Sequence, residues 1–125
     1  MDRRGLIAAE SGSWSLDWWL RVDDDWIFPS EHGAVRQRLV HGAPVVETVL
    51  RAAGGDLVHR AYAARSDSEY LVVEVENQAT RPVALAWAIR PYDHLGGGRI
   101  ENIELNERAL YVNGQIGLVC GRTPG

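Results

Sequence analysis

The stretch SWSLDWWLRVDDDW, Ser13 to Trp26, carries four of the five tryptophans of this 125-residue chain and four of its carboxylates. Within it, apolar and polar side chains alternate with a period of two. The apolar set on one face is Trp14, Leu16, Trp18, Leu20 and Val22. This period predicts a β-strand with one buried face. The three aspartates that follow predict a turn, after which Trp26 and Phe28 resume the apolar pattern before Pro29 ends the run.

The same alternation continues along the rest of the chain and predicts about nine strands and no helix of ten or more residues. Gly54-Gly55 and Asn113-Gly114 are typical of tight hairpin turns. The strand at residues 70–77 is expected to pair with the one at residues 82–92. Short strands joined by such turns predict an all-β, antiparallel two-sheet β-sandwich. A closed barrel is the structural alternative, because it would show the same alternation.

Residues 1–12 show neither a strand nor a helix period, so they are predicted to form a loose N-terminal arm, with a single sandwich domain over residues 13–125. The N-terminus lacks the apolar core of a signal peptide, and the single cysteine, Cys120, excludes an internal disulfide. We therefore expect a cytoplasmic protein in which Cys120 is a small buried apolar side chain.

Composition excludes two classes of partner. Hydrophobic residues make up 46% of the chain and charged residues 24%, which is typical of a globular domain, and no apolar run is long enough to span a bilayer. The formal net charge is -4 and the arginines are scattered. Because nucleic-acid binding needs a concentrated basic surface, we expect neither a nucleic-acid nor a membrane partner.

The tryptophans are the most informative residues for function. Trp14, Trp18, Trp26 and Trp87 lie in phase with aliphatic neighbours and are predicted to belong to the core. Trp19 instead falls on the polar face, between Asp17 and Arg21. Three explanations are open: Trp19 stacks on a sugar ring, it packs under another element or subunit, or a bulge buries it. The candidate ligand-binding residues are Trp19, Asp17, Arg21, Arg90 and Tyr92.

Other polar groups give weaker signals, and no catalytic residue, metal site or cofactor is predicted from them. The aspartate triplet lacks the ligand spacing and central glycine of an EF-hand loop. Glu74 and Glu76 lie two apart on one strand, about 7 Å, which suits a glycosidase carboxylate pair but holds for any Glu-X-Glu strand. The four histidines are far apart in sequence, so a zinc site is not indicated.

The segment YLVVEVENQATRPVALAWAIRPYD, residues 70–93, has a strand ending in Glu-Asn, a polar turn, a proline and a returning strand that ends in Arg-Pro-Tyr. Together with DWW, AVRQRLV, PVVETVLRAAGGDLVHRAYA and GRIENIELNERALYVNG it resembles the N-terminal β-sandwich domain of bacterial, especially actinobacterial, glucoamylase and debranching-type glycoside hydrolases. The resemblance covers roughly Trp14 to Leu118. In those enzymes an α/α-toroid carries the catalytic carboxylates, and nothing in this sequence corresponds to it.

The resemblance implies a non-catalytic accessory domain that binds a saccharide or mediates domain or subunit assembly. Its partners would be an oligosaccharide, a second copy in a homodimer, or a separate catalytic chain. Two alternatives stay open at this stage. One is a small glycoside-processing enzyme that uses a carboxylate pair or His59, and the other is a stand-alone oligomerisation domain without a ligand.

Overall fold

A computed structural model describes residues 1–8, 14–93 and 96–121, except for the side chain of Asp93. In these residues the chain is all-β, with several antiparallel sheets, no helix and no sheet closed into a barrel, which confirms the predicted fold class. The strands are β1 (Ile7–Ala8), β2 (Ser15–Val22), β3 (Asp25–Ile27), β4 (Val35–Leu39), β5 (Val45–Ala52), β6 (Gly55–Arg65), β7 (Glu69–Asn77), β8 (Val83–Arg90), β9 (Tyr92–Asp93), β10 (Gly96–Gly97), β11 (Ile103–Asn106), β12 (Ala109–Val112) and β13 (Gln115–Val119).

The chain divides into two compact units. The first contains Met1–Ile7 and Leu16–Ile89, and the second contains Ala8–Ser15 and Arg90–Gly125. The division into an arm over residues 1–12 and one domain over residues 13–125 stays a prediction. Part of the predicted arm forms β1, which pairs with β2, while residues 9–13 lie outside the described part of the chain.

The first unit consists of two sheets. In one of them β2 pairs with β1, β3 and β8, and the other has the order β4-β5-β6-β7. The hairpins predicted between residues 34 and 77 are confirmed, but the predicted pairing of β7 with β8 is wrong. After β7, the amide groups of Gln78 and Thr80 donate to the carbonyls of Asp56 and Gly54. The chain therefore continues past the β5–β6 turn, and β8 joins β2 in the other sheet.

The core of the first unit lies between these sheets. Trp18 and Leu20 of β2 cluster with Leu50 of β5 and Leu57 of β6, and all four side chains are fully buried. Partly buried apolar residues surround this cluster, namely Ile27, Val35, Ala52, Val75, Val83 and Trp87. Two antiparallel sheets that bury their apolar faces against each other make this unit sandwich-like. The core placement predicted for Trp18 and Trp87 is confirmed.

The core placement predicted for Trp26 is wrong, since 47% of this residue is exposed. The reason is the length of the aspartate turn. Val22 pairs with Asp25 across a two-residue loop, in which Asp23 has a φ of 55°. Leu20 consequently lies opposite Ile27, and Arg21 lies opposite Trp26. Side chains directly opposite share a face, so the apolar phase shifts by one residue across the turn.

Of the two predicted glycine turns, Asn113-Gly114 lies where the sequence predicts it, and the β5–β6 turn lies one residue earlier than predicted. Asn113 and Gly114 have φ angles of 52° and 77° and form the two-residue turn between Val112 and Gln115. Such paired positive angles define the type I′ hairpin. The β5–β6 loop, however, is Ala53-Gly54, because Ala52 already pairs with Gly55.

The second unit contains the meander β11-β12-β13 and the short pair β9-β10. Val112 is buried in it. Trp14 lies close enough to Gly117 that a Cβ atom on this glycine would sit 3.0 Å from the indole. The side-chain oxygen of Asn113 accepts hydrogen bonds from the amides of Glu101, at 2.7 Å, and Asn102, at 3.3 Å. Asn113 thus both makes a turn and anchors the segment that precedes β11.

Candidate functional site

The outer face of the first sheet carries an open apolar groove with a volume of about 340 Å³. We call it the aromatic groove. Its lining residues are Trp19 from β2, Trp26 and Phe28 from β3 and its C-terminal end, and Ala86, Trp87 and Ala88 from β8. Trp19 is the only one of the predicted ligand-binding residues in this lining. The alternation of the sequence predicted Trp26 to be in the core, and Phe28 is not among the predicted ligand-binding residues.

Trp19 is held from two sides. Its indole nitrogen Nε1 donates a hydrogen bond to Oδ2 of Asp17 at 3.1 Å. Its ring meets Phe28 edge-on, with ring centroids 5.2 Å apart and an angle of 88° between the planes. Aromatic pairs favour such edge-to-face contacts. Trp19 is therefore half-buried in a defined orientation.

Asp17 was expected on a polar face, but only 1% of it is exposed. Its second oxygen, Oδ1, accepts a hydrogen bond from the backbone amide of Trp18 at 2.9 Å. The carboxylate is thus paired with two N–H groups, as a buried polar group requires. Asp17 positions Trp19 and is not available to a ligand.

The adjacent tryptophan has a separate anchor. The indole of Trp18 donates to the carbonyl oxygen of Arg4 at 2.9 Å. A Cβ atom on Gly5, whose φ is +94°, would come within 2.7 Å of the same indole nitrogen. The N-terminal segment thus approaches the core side of β2 closely, while Trp19 projects to the other face.

Small side chains on β8 make the groove concave. Along this strand Ala86, Trp87 and Ala88 all line the groove, and Trp87 also packs against the core. The ring of Trp87 also contacts that of His59, with centroids 6.3 Å apart. Since alanine projects only a methyl group, the two alanines leave a depression beside the larger rings of β2 and β3.

Arg21 lies on the same face of β2 as Trp19 and directly opposite Trp26. Its Nη2 atom forms an ion pair with Oδ1 of Asp24 at 2.9 Å. Both side chains are well exposed, so the pair contributes little to stability. The pair does place a guanidinium group, which donates hydrogen bonds, and a carboxylate, which accepts them, next to the exposed indole of Trp26.

Arg90 and Tyr92, the other two predicted ligand-binding residues, belong to the second unit. They contact each other, with the guanidinium carbon of Arg90 4.9 Å from the centroid of the Tyr92 ring. This is a cation–π interaction. Neither residue is among those that line the aromatic groove.

The carboxylates considered for catalysis take part in a polar network on the outer face of the second sheet. Glu76 pairs with Arg60 at 2.7 Å, and Glu74 lies directly opposite Arg60 on the neighbouring strand. Glu47, which is buried, accepts hydrogen bonds from Arg38 and Arg60 at 2.8 Å each, and these bonds hold its pKa below the ordinary value. Glu47 and Glu76 are thus bound to protein donors, and neither they nor Glu74 is among the residues that line the aromatic groove.

His59 lies in the core, with its ring 4.9 Å from that of Trp18 between centroids. Neither ring nitrogen has a hydrogen-bond partner. Burial lowers the pKa of His59 to about 4. A fully buried imidazole between two tryptophans is not accessible to a substrate, so the position of His59 does not support a catalytic role.

The chain matches no family model, and no curated protein or solved structure is significantly similar to it. Among the described residues, no group of three or more His, Cys, Asp or Glu side chains is placed to hold a metal ion. The same part of the chain contains no helix that is long and apolar enough to cross a membrane.

Proposed function

We propose that this chain is a non-catalytic β-sandwich accessory domain that binds a saccharide in the aromatic groove. One observation carries the proposal: four aromatic residues, Trp19, Trp26, Phe28 and Trp87, line an open groove on an outer sheet face together with two alanines. Outer faces of antiparallel sheets are ordinarily polar, so this concentration of aromatic surface calls for a ligand.

The chemistry of the groove suits a sugar ring. The C–H groups on one face of a pyranose carry a small positive charge and pack well against the electron-rich face of an indole. Trp26 presents such a surface to solvent. Trp19 is already oriented by Asp17 and Phe28, so little conformational entropy is lost when a ligand packs against it.

The polar groups beside the groove favour an uncharged ligand. Arg21 and Asp24 neutralise each other, and both have exposed side-chain atoms that can exchange hydrogen bonds with hydroxyl groups. Apolar pockets with a few polar groups at defined positions are the usual form of small-ligand sites. A neutral oligosaccharide combines the required apolar ring faces with hydroxyl edges.

An accessory role is part of the same proposal. The resemblance to the sandwich domain of glucoamylase and debranching-type enzymes supports it and points to a glucan as the ligand. In this role the chain would hold a saccharide for a catalytic domain on another polypeptide.

The proposal is tested by isothermal titration calorimetry with maltoheptaose, cellohexaose and chitohexaose. We expect at least one of these neutral oligosaccharides to bind. Trp26→Ala should weaken its affinity at least about tenfold, which corresponds to about 1.4 kcal/mol and is typical of an aromatic contact residue. Trp26 is exposed, so this variant should fold normally.

Tyr70→Ala is the matched control, because Tyr70 is a similarly exposed aromatic residue on the other sheet. This variant should bind with the wild-type affinity. Absence of binding by all three oligosaccharides, or equal affinity of Trp26→Ala and the wild type, would overturn the proposal.

A further inference from the structure

Strand β7 has an open edge. It ends the sheet β4-β5-β6-β7, and its pairing partner in the described part of the chain is β6 alone. The strand predicted to cover its other side, β8, pairs with β2 instead. The backbone N–H and C=O groups along this edge are thus available to a further strand.

Glutamates at three positions are the charged side chains of this edge, and it lacks the other features by which proteins usually protect an edge strand. Proline, lysine, arginine and glycine are absent from the nine residues Glu69–Asn77. The opposite edge of the same sheet, β4, is only five residues long and carries Arg36 and Arg38. On β7, Tyr70 is 53% exposed and Leu71 is 47% exposed. A nine-residue edge with unpaired backbone groups is a template for pairing with another chain.

We propose that two copies of this chain associate through antiparallel pairing of their β7 strands, with the two-fold axis at Val73. The two four-stranded sheets then become one continuous sheet of eight strands. The pairs across the axis are Glu69 with Asn77, Tyr70 with Glu76, Leu71 with Val75, Val72 with Glu74, and Val73 with its own copy. An interface of this kind is isologous and closes as a dimer.

Pairing over the full length of β7 selects this register, and the charge pattern of the strand is compatible with it. With the axis at Val73, the central residue of the strand, all nine residues are paired and every glutamate faces an uncharged residue. An axis at Glu74 would place this residue opposite its own copy, and an axis at Val75 would place Glu74 opposite Glu76. Like charges directly opposite each other on neighbouring strands are destabilising.

The same register matches both faces of the sheet. In the pairing of β6 with β7, Val75 lies opposite the core residue His59, so Leu71, Val73 and Val75 share the inner face. The exposed side chain of Leu71 would then pack beside Val75 of the second copy. On the outer face, the Tyr70 hydroxyl can reach Glu76 of the second copy, whose charge is already balanced by Arg60.

Sedimentation equilibrium tests the proposal. Protein concentrations up to about 1 mM detect even a dimer whose dissociation constant is in the millimolar range. We expect the average mass to rise from 13.9 kDa towards twice that value. Val72→Glu places a carboxylate opposite Glu74 at both symmetric positions and should weaken the dimer at least about fivefold. Val72→Lys places an ammonium group at the same positions and should preserve or strengthen the dimer.

The two variants place opposite charges at the same position. A folding defect would weaken the dimer in both variants, whereas the charge effect weakens it only in Val72→Glu. Leu39→Lys, which alters an exposed leucine on the other edge strand, should leave the dimer unchanged. Cross-linking tests the register: in a Cys120→Ser background, Val73→Cys should form an intermolecular disulfide and Val75→Cys should not, because only residue 73 faces its own copy.

A monomer at every concentration overturns the proposal. So does a dimer that responds equally to Val72→Glu and Val72→Lys, since it would use another surface. The dimer lies on a different sheet from the aromatic groove, and neither result affects the saccharide titration.

Discussion

His59 shows at the scale of one residue how the core limits function. Its neighbours on β5 and β7 are Thr48 and Val75, and two tryptophan rings flank it. None of these groups carries a charge that would stabilise an imidazolium, so the folded protein holds His59 neutral. Two ring nitrogens without hydrogen-bond partners are a cost to stability.

The lowered pKa of His59 makes stability depend on pH. The folded state holds the pKa at about 4, against an ordinary value of 6.5, so the unfolded chain takes up the proton first as the pH falls. The stability contribution is complete above pH 6.5 and is lost progressively down to about pH 4. Between pH 7.5 and pH 5 we expect the free energy of unfolding to fall by about 2 kcal/mol.

His59→Leu should remove this dependence and leave the stability at pH 7.5 equal or higher, because it replaces two unpaired nitrogens with apolar atoms of similar volume. Urea unfolding at pH 7.5 and pH 5 measures the free energy of unfolding of this variant. His41→Gln, at an exposed histidine, is the control, and its free energy of unfolding should depend on pH as in the wild type. A His59→Leu protein with the wild-type pH dependence would show that other groups cause it.

Trp19 and Trp26 show what sequence can and cannot predict of the site. Alternation alone marks Trp19 as out of phase, which is why it could be selected as a candidate. It cannot place Trp26, whose face depends on whether the Asp23-Asp24 loop contains two residues or three. Asp17 was also predicted to be exposed, because a strand pattern does not reveal the indole donor that satisfies a buried carboxylate.

At the scale of elements, the period of two was sufficient to locate the main strands, since each buries one face. The partner of β8 was not predictable in the same way. Residues 78–81 read as a hairpin turn, but the amides of Gln78 and Thr80 donate to the carbonyls of Asp56 in β6 and Gly54 in the β5–β6 loop, and the chain passes that loop. The pairing partner of β8 depends on contacts between residues more than 20 positions apart, which a local sequence pattern does not reveal.

Gly55 gives a prediction at this scale. It begins β6 with a φ of +152°, and an added Cβ atom would lie 2.7 Å from the Cα of Ala79 and 2.8 Å from the oxygen of Gln78. Gly55→Ala should therefore destabilise the β5–β6 hairpin and the crossing segment together, by about 1–3 kcal/mol. Chemical denaturation measures the loss.

Gly33→Ala serves as the control, because a Cβ atom there meets no atom within 4 Å and no unusual backbone angle is required. Its stability should stay within about 0.5 kcal/mol of the wild type. Equal stability of Gly55→Ala and Gly33→Ala would contradict the close approach of β6 to residues 78–79.

At the scale of the whole molecule, binding and assembly are assigned to separate surfaces. In the two proposals, the outer face of the first sheet would bind a saccharide through its aromatic rings, and the edge of the second sheet would pair through its backbone with a second copy. If both proposals hold, the dimer presents two grooves, and a polymeric saccharide that reaches both would bind more tightly than a short one.

The central claim, saccharide binding in the aromatic groove, is tested most directly by nuclear magnetic resonance of the tryptophan indole N–H groups during titration with the oligosaccharide that binds. The account predicts that the signals of Trp19 and Trp26 shift together with a common affinity. The signal of Trp18, whose N–H is bonded to Arg4 in the core, should stay unchanged. Unshifted Trp19 and Trp26 signals at a saturating oligosaccharide concentration would contradict the account.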